Sequence, residues 1–311
     1  MTILSNAIEA FMFHCQFERN LTPKTLKAYH TDADQFLHFA EERGITAPGN
    51  VDRDVLREYI RLLVEHHKTR TVKRKLAVLN GLFSHLEFED IIPISPFRKL
   101  RIALRQDFVL PRAIPMWTVR RLFKHLYAEI ERTHHRSEVV RDIAVLEFMF
   151  ATGVRVSEAS ALRSQDVDLK NGTTRIMGKG HRERIVPICS AEPLDALREY
   201  TAMFSSQISS SGAFFVNRDS KPLSAQSIRF MLRKRAKEAR ITTHLTPHML
   251  RHTVATQLVA NGADIRQVQY LLGHGSILTT QIYTHVDAKN CRRLLTLKHP
   301  RRNMELRERI A

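Results

Sequence analysis

The chain has 311 residues, of which 43% are hydrophobic and 26% charged, a composition typical of globular rather than disordered proteins. Its net charge of +17 indicates a polyanionic partner, and its three cysteines exclude a disulfide-held fold and favour a reducing cytoplasm. Its longest apolar runs are far shorter than the ~20 residues that span a bilayer. We find no signal peptide at the N-terminus and expect no membrane partner.

The positive charge is concentrated in the second part of the chain. Residues 1–100 hold 14 basic and 13 acidic side chains, so an excess of 16 positive charges falls in residues 101–311. A solubilising surface is the alternative explanation, although it is a weak one for a whole-domain excess. The distribution therefore predicts that the second part of the chain carries the stronger attraction for nucleic acid or another polyanion.

Amphipathic patterns predict four helices in the first hundred residues. The first begins at Ser5, and the second begins at Thr22 followed by Pro23, an N-cap and first-turn signal, and ends at Gly44. Apolar stripes over 56–63 and 72–86 predict the third and fourth helices. Four such helices with short connections predict a small bundle with its own core.

The proline-rich, basic stretch 91–115 predicts a joint between two domains. We place an N-terminal helical domain at residues 1–103, a linker at 104–115 and a second domain, including the C-terminal tail, at 116–311. Helices are expected to resume at Thr118 and near Asp142. The serine cluster at 204–214 predicts a loop.

The second domain combines helices with one small sheet. Residues 173–178 and 182–188 are rich in β-branched side chains and flank a Gly-Lys-Gly connection, which predicts an antiparallel hairpin with Lys179 at its tip. Later helices are predicted to begin at Ser224, Thr246, Asp264 and Ser276. The fold class is therefore mainly α with a small antiparallel β-sheet.

Polar residues recur where helices end or the chain turns. Gly153 ends one helix, Ser157 is expected to cap the next, and Arg155 lies in the elbow between them. His248 and Arg251 share one face of the helix that begins at Thr246. The remaining candidates are Lys179, His274 and Tyr283. Each candidate alone fits a structural role, such as a surface ion pair or a capping histidine.

Together these candidates match the needs of a phosphoryl transfer without a metal. Two arginine forks can bind the phosphodiester and its transition-state charge. A tyrosine phenol can attack phosphorus and keep the bond energy in a phosphotyrosyl ester. A lysine on a hairpin tip can protonate the leaving 5′-oxygen.

The same residues resemble the tyrosine recombinase (phage integrase) family. The segments TPHMLRHTVAT and LLGHGSILTTQIYTHV match its two most diagnostic motifs, and ATGVRVSE and the Gly-Lys-Gly hairpin match two others. The first domain, with TPKTLKAYHTDADQF, resembles the family's SAM-like core-binding domain, so the second would be the mixed α/β catalytic domain. The compact length is similar to Xer-type and small mobile-element members.

The resemblance implies a role for each matched position. Tyr283 would be the nucleophile that forms a 3′-phosphotyrosyl link, and Arg155 and Arg251 would clamp the scissile phosphate. Lys179 would be the general acid, and His248 would act in proton transfer with the tyrosine. The two further positions are a histidine that hydrogen-bonds the phosphate and a buttressing carboxylate, namely His274 and Glu158.

The resemblance also implies partners and cofactors. The chain would act in the bacterial cytoplasm, at the nucleoid, on double-stranded DNA with inverted-repeat half-sites, as a homo-tetramer joined through its C-terminal tail. A related recombinase is a second candidate partner. No ATP and no metal are expected. Self-capping of the tail on its own domain is the alternative to docking on a neighbour.

Basic side chains outside the motifs are candidates for phosphate contacts, with a solvated surface as an equal alternative. We select Lys24, Lys27, Arg70, Lys73, Arg74, Arg229, Arg233, Lys237 and Arg240. The last four form one basic stripe on the helix that begins at Ser224.

Two other functions fit part of the pattern. A type IB topoisomerase-like enzyme would nick and reseal one duplex with similar chemistry, and an accessory protein would bind DNA without reacting. The complete set of six residues disfavours the idle binder. The sequence does not distinguish phage or transposon integration, cassette exchange and chromosome-dimer resolution.

Overall fold

A computed structural model describes residues 3–98, 100–104, 113–132, 134–178, 183–273 and 286–304, without the side chains of 286–289 and 303. The chain divides into two compact units, Met1–Val109 and Leu110–Ala311. The division falls inside the predicted linker, and the proposed boundaries at 103 and 116 stay a prediction.

The first unit is the expected helical bundle. Its helices are α1 (Leu4–Phe17), α2 (Pro23–Glu41), α3 (Arg53–His66) and α4 (Thr69–Phe88). The predicted cap of α2 is confirmed, because Thr22 Oγ1 accepts a hydrogen bond from Thr25 N at 3.3 Å. In the core, the ring of Phe36 meets those of Tyr59 and Phe83 edge-on, with centroids 5.1 and 5.9 Å apart.

The second unit is built around a central helix. Its described elements are α5 (Met116–Ile130), α6 (Arg136–Thr152), α7 (Val156–Ser160), β1 (Val167–Asp168), β2 (Thr173–Met177), β3 (Glu183–Pro187), α8 (Ala191–Met203), α9 (Ser205–Ser211), α10 (Ala225–Glu238), α11 (Pro247–Ala260), α12 (Ile265–Leu272) and α13 (Val286–Lys298). Every residue of α6 from Asp142 to Thr152 is buried, as expected for a helix covered on all sides. Helices α5, α8, α10 and α11 pack against it.

The predicted hairpin is confirmed in its strands. In the described residues the sheet has the order β1-β2-β3 and is antiparallel throughout. Ile176 pairs with Arg184, and Thr174 pairs with Val186. Because side chains alternate between the faces of a strand, these four point into the unit. The predicted tip, including Lys179, lies outside the described residues.

Two local predictions are wrong. Ser157 does not cap α7: Arg155 occupies the N-cap position, and its backbone N donates to Glu158 Oε2 at 2.8 Å. The serine cluster is not a loop but helix α9, because Phe204 and Ile208, one turn apart, are both buried. Gly212, with a φ of +70°, ends this helix in the left-handed conformation that glycine adopts readily.

The C-terminal tail packs on its own unit as far as Met304. Helix α13 contacts β3 and α11, and it buries Cys291, Leu294 and Leu295. A short 3₁₀ turn at Pro300–Asn303 follows, and Met304 is 1% exposed. Docking on a neighbouring protomer was the preferred expectation. That expectation stays a prediction. The burial of Cys291, Leu294, Leu295 and Met304 agrees with the self-capping alternative for these side chains, whereas Leu297 is 52% exposed.

Candidate active site

Arg155 stands at the turn between α6 and α7. Gly153 makes this turn with a φ of +62°, and a Cβ there would lie 2.6 Å from the side chain of Leu272. Glycine is therefore required both by the backbone conformation and by the approach of α12. The guanidinium of Arg155 donates from Nη1 to Glu158 Oε1 at 2.8 Å and from Nη2 to Gly273 O at 2.9 Å. One third of its side chain is exposed.

Arg251 reaches the same place from α11. The N-cap of that helix is the predicted Thr246, whose Oγ1 accepts from Met249 N at 3.2 Å. Arg251 donates from Nη1 to Gly153 O at 2.8 Å and from Nη2 to Leu272 O. Burial and the positive charges of Arg155 and Arg184 lower the pKa of Arg251 to about 10 despite the nearby Glu158. The group is still protonated at neutral pH.

A third arginine, which is not among the residues predicted from the sequence, completes the cluster. Arg184 on β3 donates from Nη2 to Glu158 Oε2 at 2.8 Å and from Nη1 to Oε1 at 3.1 Å. Its Nε donates to Leu271 O at 3.0 Å. Burial opposes ionisation of Glu158, but the hydrogen bonds and charge of Arg184 and the contacts from Arg155 outweigh it and lower the pKa of this carboxyl.

The three arginines bind successive carbonyl oxygens at the end of α12. Leu271 O, Leu272 O and Gly273 O accept from Arg184, Arg251 and Arg155 respectively. These carbonyls belong to the last turn and lack intrahelical donors, and the negative end of the helix dipole lies there. The end of α12 therefore holds the three cationic groups together.

The cluster has a positive excess. Three guanidinium groups surround a single carboxylate, Glu158, so the described side chains carry a net charge of +2. Arg155 is the most exposed of the three. A planar guanidinium with free donors binds a phosphate well. The arrangement therefore suits a tetrahedral anion presented from the side of Arg155.

The other catalytic candidates are described only in part. His248 is exposed in the first turn of α11, one turn before Arg251. The three others lie outside the described residues, namely Lys179, His274 and Tyr283. Described residues close to two of them in the sequence belong to the arginine cluster. Arg184 comes five positions after Lys179, and Gly273, which accepts from Arg155, immediately precedes His274.

The predicted DNA-contacting residues of the first unit are exposed, and Arg74 also forms an ion pair within the bundle. Lys24 and Lys27 lie on α2, and Arg70 and Lys73 lie on α4. Arg74, also on α4, donates to the buried carboxylate of Asp32, which the buried Lys75 contacts as well. Part of Arg74's donor capacity therefore serves the bundle itself.

The basic stripe of the second unit is shorter than expected. Arg233 and Lys237 are exposed on α10, and Arg229 is half-buried there. Arg240 follows the end of the helix with a φ of +53°, so it leaves the stripe. Arg235, on the other face, is buried against Asp142 at 2.7 Å.

The described residues lack two further features. They contain no group of three His, Cys, Asp or Glu side chains arranged to hold a metal ion. No helix among them has the length and apolar character needed to cross a membrane.

Comparison with known proteins places this geometry in a family. The phage integrase family model matches residues 120–290, and the model of the phage integrase N-terminal SAM-like domain matches residues 8–90. A tyrosine recombinase of Agathobacter rectalis is 37% identical over 306 residues, which cover 97% of this chain and 99% of that protein. Tyrosine recombinase XerC of Herpetosiphon aurantiacus is 39% identical over 288 residues, 91% of this chain and 92% of that protein.

Solved structures show the same fold. XerH site-specific recombinase bound to a palindromic difH substrate gives a TM-score of 0.71 at 22% identity, over 92% of this chain and 83% of that one. A lambda integrase dimer bound to a COC′ core site gives 0.68 at 15% identity, over 91% and 100%. The chain therefore belongs to the phage integrase family and is a tyrosine recombinase, an enzyme of site-specific DNA recombination.

Proposed function

We propose that this recombinase cleaves and rejoins DNA strands with Tyr283 as nucleophile and with Arg155 and Arg251 as the clamp on the scissile phosphate. The observation that carries the proposal is the convergence of these two guanidinium groups on the end of α12, with a net charge of +2 around them. That excess matches the charge that a phosphodiester gains on its equatorial oxygens as it is attacked.

The proposed cleavage step balances as a transesterification. The phenolic oxygen of Tyr283 forms a bond to phosphorus while the bond from phosphorus to the 5′-oxygen breaks. The phenolic proton passes to His248, and Lys179 protonates the leaving oxygen, so a free 5′-hydroxyl and a 3′-phosphotyrosyl ester result. His274 hydrogen-bonds the phosphate. The reverse step, with the 5′-hydroxyl of another duplex, restores a phosphodiester without ATP.

Glu158 has a supporting role in this proposal. It accepts from both the backbone N and the side chain of Arg155, so it fixes the guanidinium relative to the first turn of α7. A buried carboxylate with such partners stays ionised through neutral pH. It therefore orients the clamp and does not exchange protons with the substrate.

The proposed substrate is double-stranded DNA with inverted-repeat half-sites. Proteins of the same fold have been solved with DNA: lambda integrase as a tetramer bound to a Holliday junction, and XerH bound to a palindromic difH substrate. We infer a homo-tetramer on two duplexes, with a related recombinase as an alternative partner. Because Cys291, Leu294, Leu295 and Met304 are buried within their own unit, we assign the intermolecular part of the tail to residues 305–311.

A nicked suicide duplex tests the nucleophile. The short strand beyond the cleavage point diffuses away, so a covalent protein–DNA adduct accumulates and can be counted on a denaturing gel. Tyr283→Phe should abolish the adduct while half-site binding survives, because only one oxygen is removed. Tyr270→Phe, on α12, is the matched control and should retain the adduct.

The same substrate separates the alternative functions. A wild-type chain that forms no adduct would be an idle DNA binder. A chain that forms the adduct, but does not join the trapped strand to an added second duplex, would be a topoisomerase-like enzyme. An adduct with the Tyr283→Phe variant would place the nucleophile elsewhere and overturn the proposal.

A further inference from the structure

Arg184 is a buried arginine whose position in the fold is unusual for a charged side chain. It lies on the inward face of β3, opposite Ile176 and two residues from Val186, both in the core. Its side chain is 7% exposed. Burying a guanidinium is costly unless its donors are satisfied, and here Nε, Nη1 and Nη2 each donate to an oxygen.

Arg184 and Arg155 share one carboxylate unequally. Arg184 binds both oxygens of Glu158 from the buried side, whereas Arg155 binds one oxygen with its side chain and is one third exposed. Arg184 and Glu158 thus form a nearly neutral, enclosed pair. Among the described side chains, Glu158 is the carboxylate nearest to Arg155 and Arg251, and Arg184 already binds both of its oxygens.

We propose that Arg184 is a positioning residue that neutralises Glu158 and fixes the last turn of α12, so that the charges of Arg155 and Arg251 stay available to the DNA phosphate. The inference rests on the clamp assigned under the proposed function. Without Arg184, both oxygens of Glu158 would be available to Arg155, and the two side chains would form a bidentate ion pair. The net charge of the cluster would fall from +2 to +1, and Leu271 O would lose its donor.

Gly273 supports the tight placement of Arg184. A Cβ at Gly273 would lie 2.9 Å from Nη1 and 3.0 Å from Cζ of Arg184, and the φ of Gly273 is +66°. The guanidinium therefore lies flat against the backbone that precedes His274. A substitution of Arg184 by a side chain of another shape or charge therefore changes the contacts at the end of α12 and the net charge around Glu158.

The charge argument is tested with a double variant on the suicide duplex. Arg184→Met should lower the single-turnover rate of adduct formation by about 10–100-fold, the size of effect seen for residues that orient metal ligands in other enzymes. Adding Glu158→Gln to Arg184→Met restores the net charge of +2, so the double variant should recover at least tenfold over Arg184→Met. A purely structural role predicts a double variant no better than the single one, and that result would overturn the inference.

A neutral substrate provides a second readout. Replacing one non-bridging oxygen of the scissile phosphate by methyl removes its charge, so the deficit of Arg184→Met should shrink to within about threefold on this methylphosphonate, because less cationic charge is needed. Arg235→Met is the matched control, since Arg235 is equally buried and paired with Asp142 on the N-terminal half of α6. Its deficit should be the same on both substrates. Equal deficits for Arg184→Met would contradict the charge role.

Two further outcomes are distinguished: a variant that does not fold, and a failure of the proposed function itself. If Arg184→Met does not fold, Arg184→Lys and Arg184→Gln replace it: only lysine keeps the charge, and it should exceed glutamine at least tenfold in rate. Equal rates would overturn the inference. If wild type forms no adduct, or Tyr283→Phe forms one, the proposed function fails instead. If wild type reacts normally but Glu158→Gln does not rescue Arg184→Met, the proposed function stands and only the role of Arg184 is rejected.

Discussion

Arg301 and Glu147 form a fully enclosed ion pair although 154 residues separate them in the chain. Arg301 Nη2 lies 2.9 Å from Glu147 Oε1, and its Nε lies 3.0 Å from Oε2. Tyr127 donates its hydroxyl to Oε1 at 2.9 Å, and Arg301 Nη1 donates to Met304 O at 2.7 Å. The tail is thereby fixed to α6, the helix whose C-terminal end leads into Arg155.

The first prediction concerns this pair. Arg301→Met leaves the carboxylate of Glu147 buried without a cation, so the free energy of unfolding should fall by about 3–5 kcal/mol in urea denaturation. Arg302→Met is the control, because Arg302 is exposed and should change stability by less than about 0.5 kcal/mol. A loss below 1 kcal/mol for Arg301→Met would mean that the unit relaxes to hydrate Glu147.

The second prediction concerns the pH dependence of stability. His299 Nδ1 accepts from Arg301 N at 3.0 Å, so its proton resides on Nε2 and donates to Phe150 O at 3.1 Å. Burial lowers the pKa of His299 to about 4, the hydrogen bond to Phe150 opposes the shift, and the charge of Arg301 adds to it. A second proton, on Nδ1 of His299, would point at the Arg301 N–H and remove the hydrogen bond between them.

The sign follows from proton binding in the two states. Between pH 6.5 and 4 the unfolded chain binds a proton that folded His299 does not, so stability is complete above pH 6.5 and falls as pH drops through this window. The slope from one such group reaches about 1.4 kcal/mol per pH unit. His299→Gln should remove this component from urea curves measured from pH 7 to 5. Exposed His244→Gln should follow wild type, and a His299→Gln profile parallel to wild type would contradict the assignment.

The third prediction concerns the basic face of α10. Each phosphate neutralised by a cation contributes about −0.9 to the slope of log affinity against log salt. Arg233→Ala should weaken duplex binding to specific and random sequences alike and make that slope less steep by about one unit. Arg198→Ala, an exposed arginine paired with Asp195, is the control. An unchanged slope for Arg233→Ala would assign this face to solvent.

The fourth prediction concerns the end of the tail. A stop after Met304 keeps the buried segment and the Arg301–Glu147 pair, so the melting temperature should stay within about 2 °C of wild type. Occupancy of a two-half-site duplex should lose cooperativity in a gel-shift titration, while single half-site binding is unchanged. A stop at Asn290 should instead destabilise the unit, because it removes Leu294 and Leu295 from the core. Full cooperativity after the shorter deletion would exclude residues 305–311 as the contact.

Local signals in the sequence predicted much of this fold. Thr22, Thr246 and Gly153 mark helix ends through side-chain caps and a left-handed turn, which depend on neighbours close in the chain. Helix α9 was not predicted because Phe204 and Ile208 are buried by residues distant in the chain, and a serine-rich segment gives no local indication of that burial. Tertiary packing overrides local preference there.

The buried arginines were harder to predict for a related reason. Arg184 could have been found from the alternation along β3 and the residue that follows it, where positions 184, 186 and 188 are all buried. Its partner Glu158 lies 26 residues earlier, so the pair itself has no local signature. The same is true of Arg301 and Glu147. Charged side chains with remote partners look like surface residues in a sequence.

The fifth prediction tests Lys179 as the general acid. Lys179 lies outside the described residues, between β2 and β3, and a lysine at a glycine-flanked connection can approach a leaving 5′-oxygen. An alkoxide leaves poorly unless it is protonated, so Lys179→Ala should lower cleavage of the suicide duplex by about 10²–10⁴-fold. Loss of rate alone does not separate an acid from a DNA contact, so a second substrate is needed.

A substrate with sulfur at the 5′-bridging position makes that separation. A thiolate leaves without a proton, so cleavage by Lys179→Ala should approach the wild-type rate on this duplex. Arg155→Ala should stay impaired, because the phosphate charge still requires its clamp. Arg175→Ala, on β2 and paired with Asp166, should behave as wild type on both substrates. If sulfur leaves the Lys179→Ala deficit unchanged, the proton comes from another group, and His248, exposed one turn before Arg251, is the next to substitute.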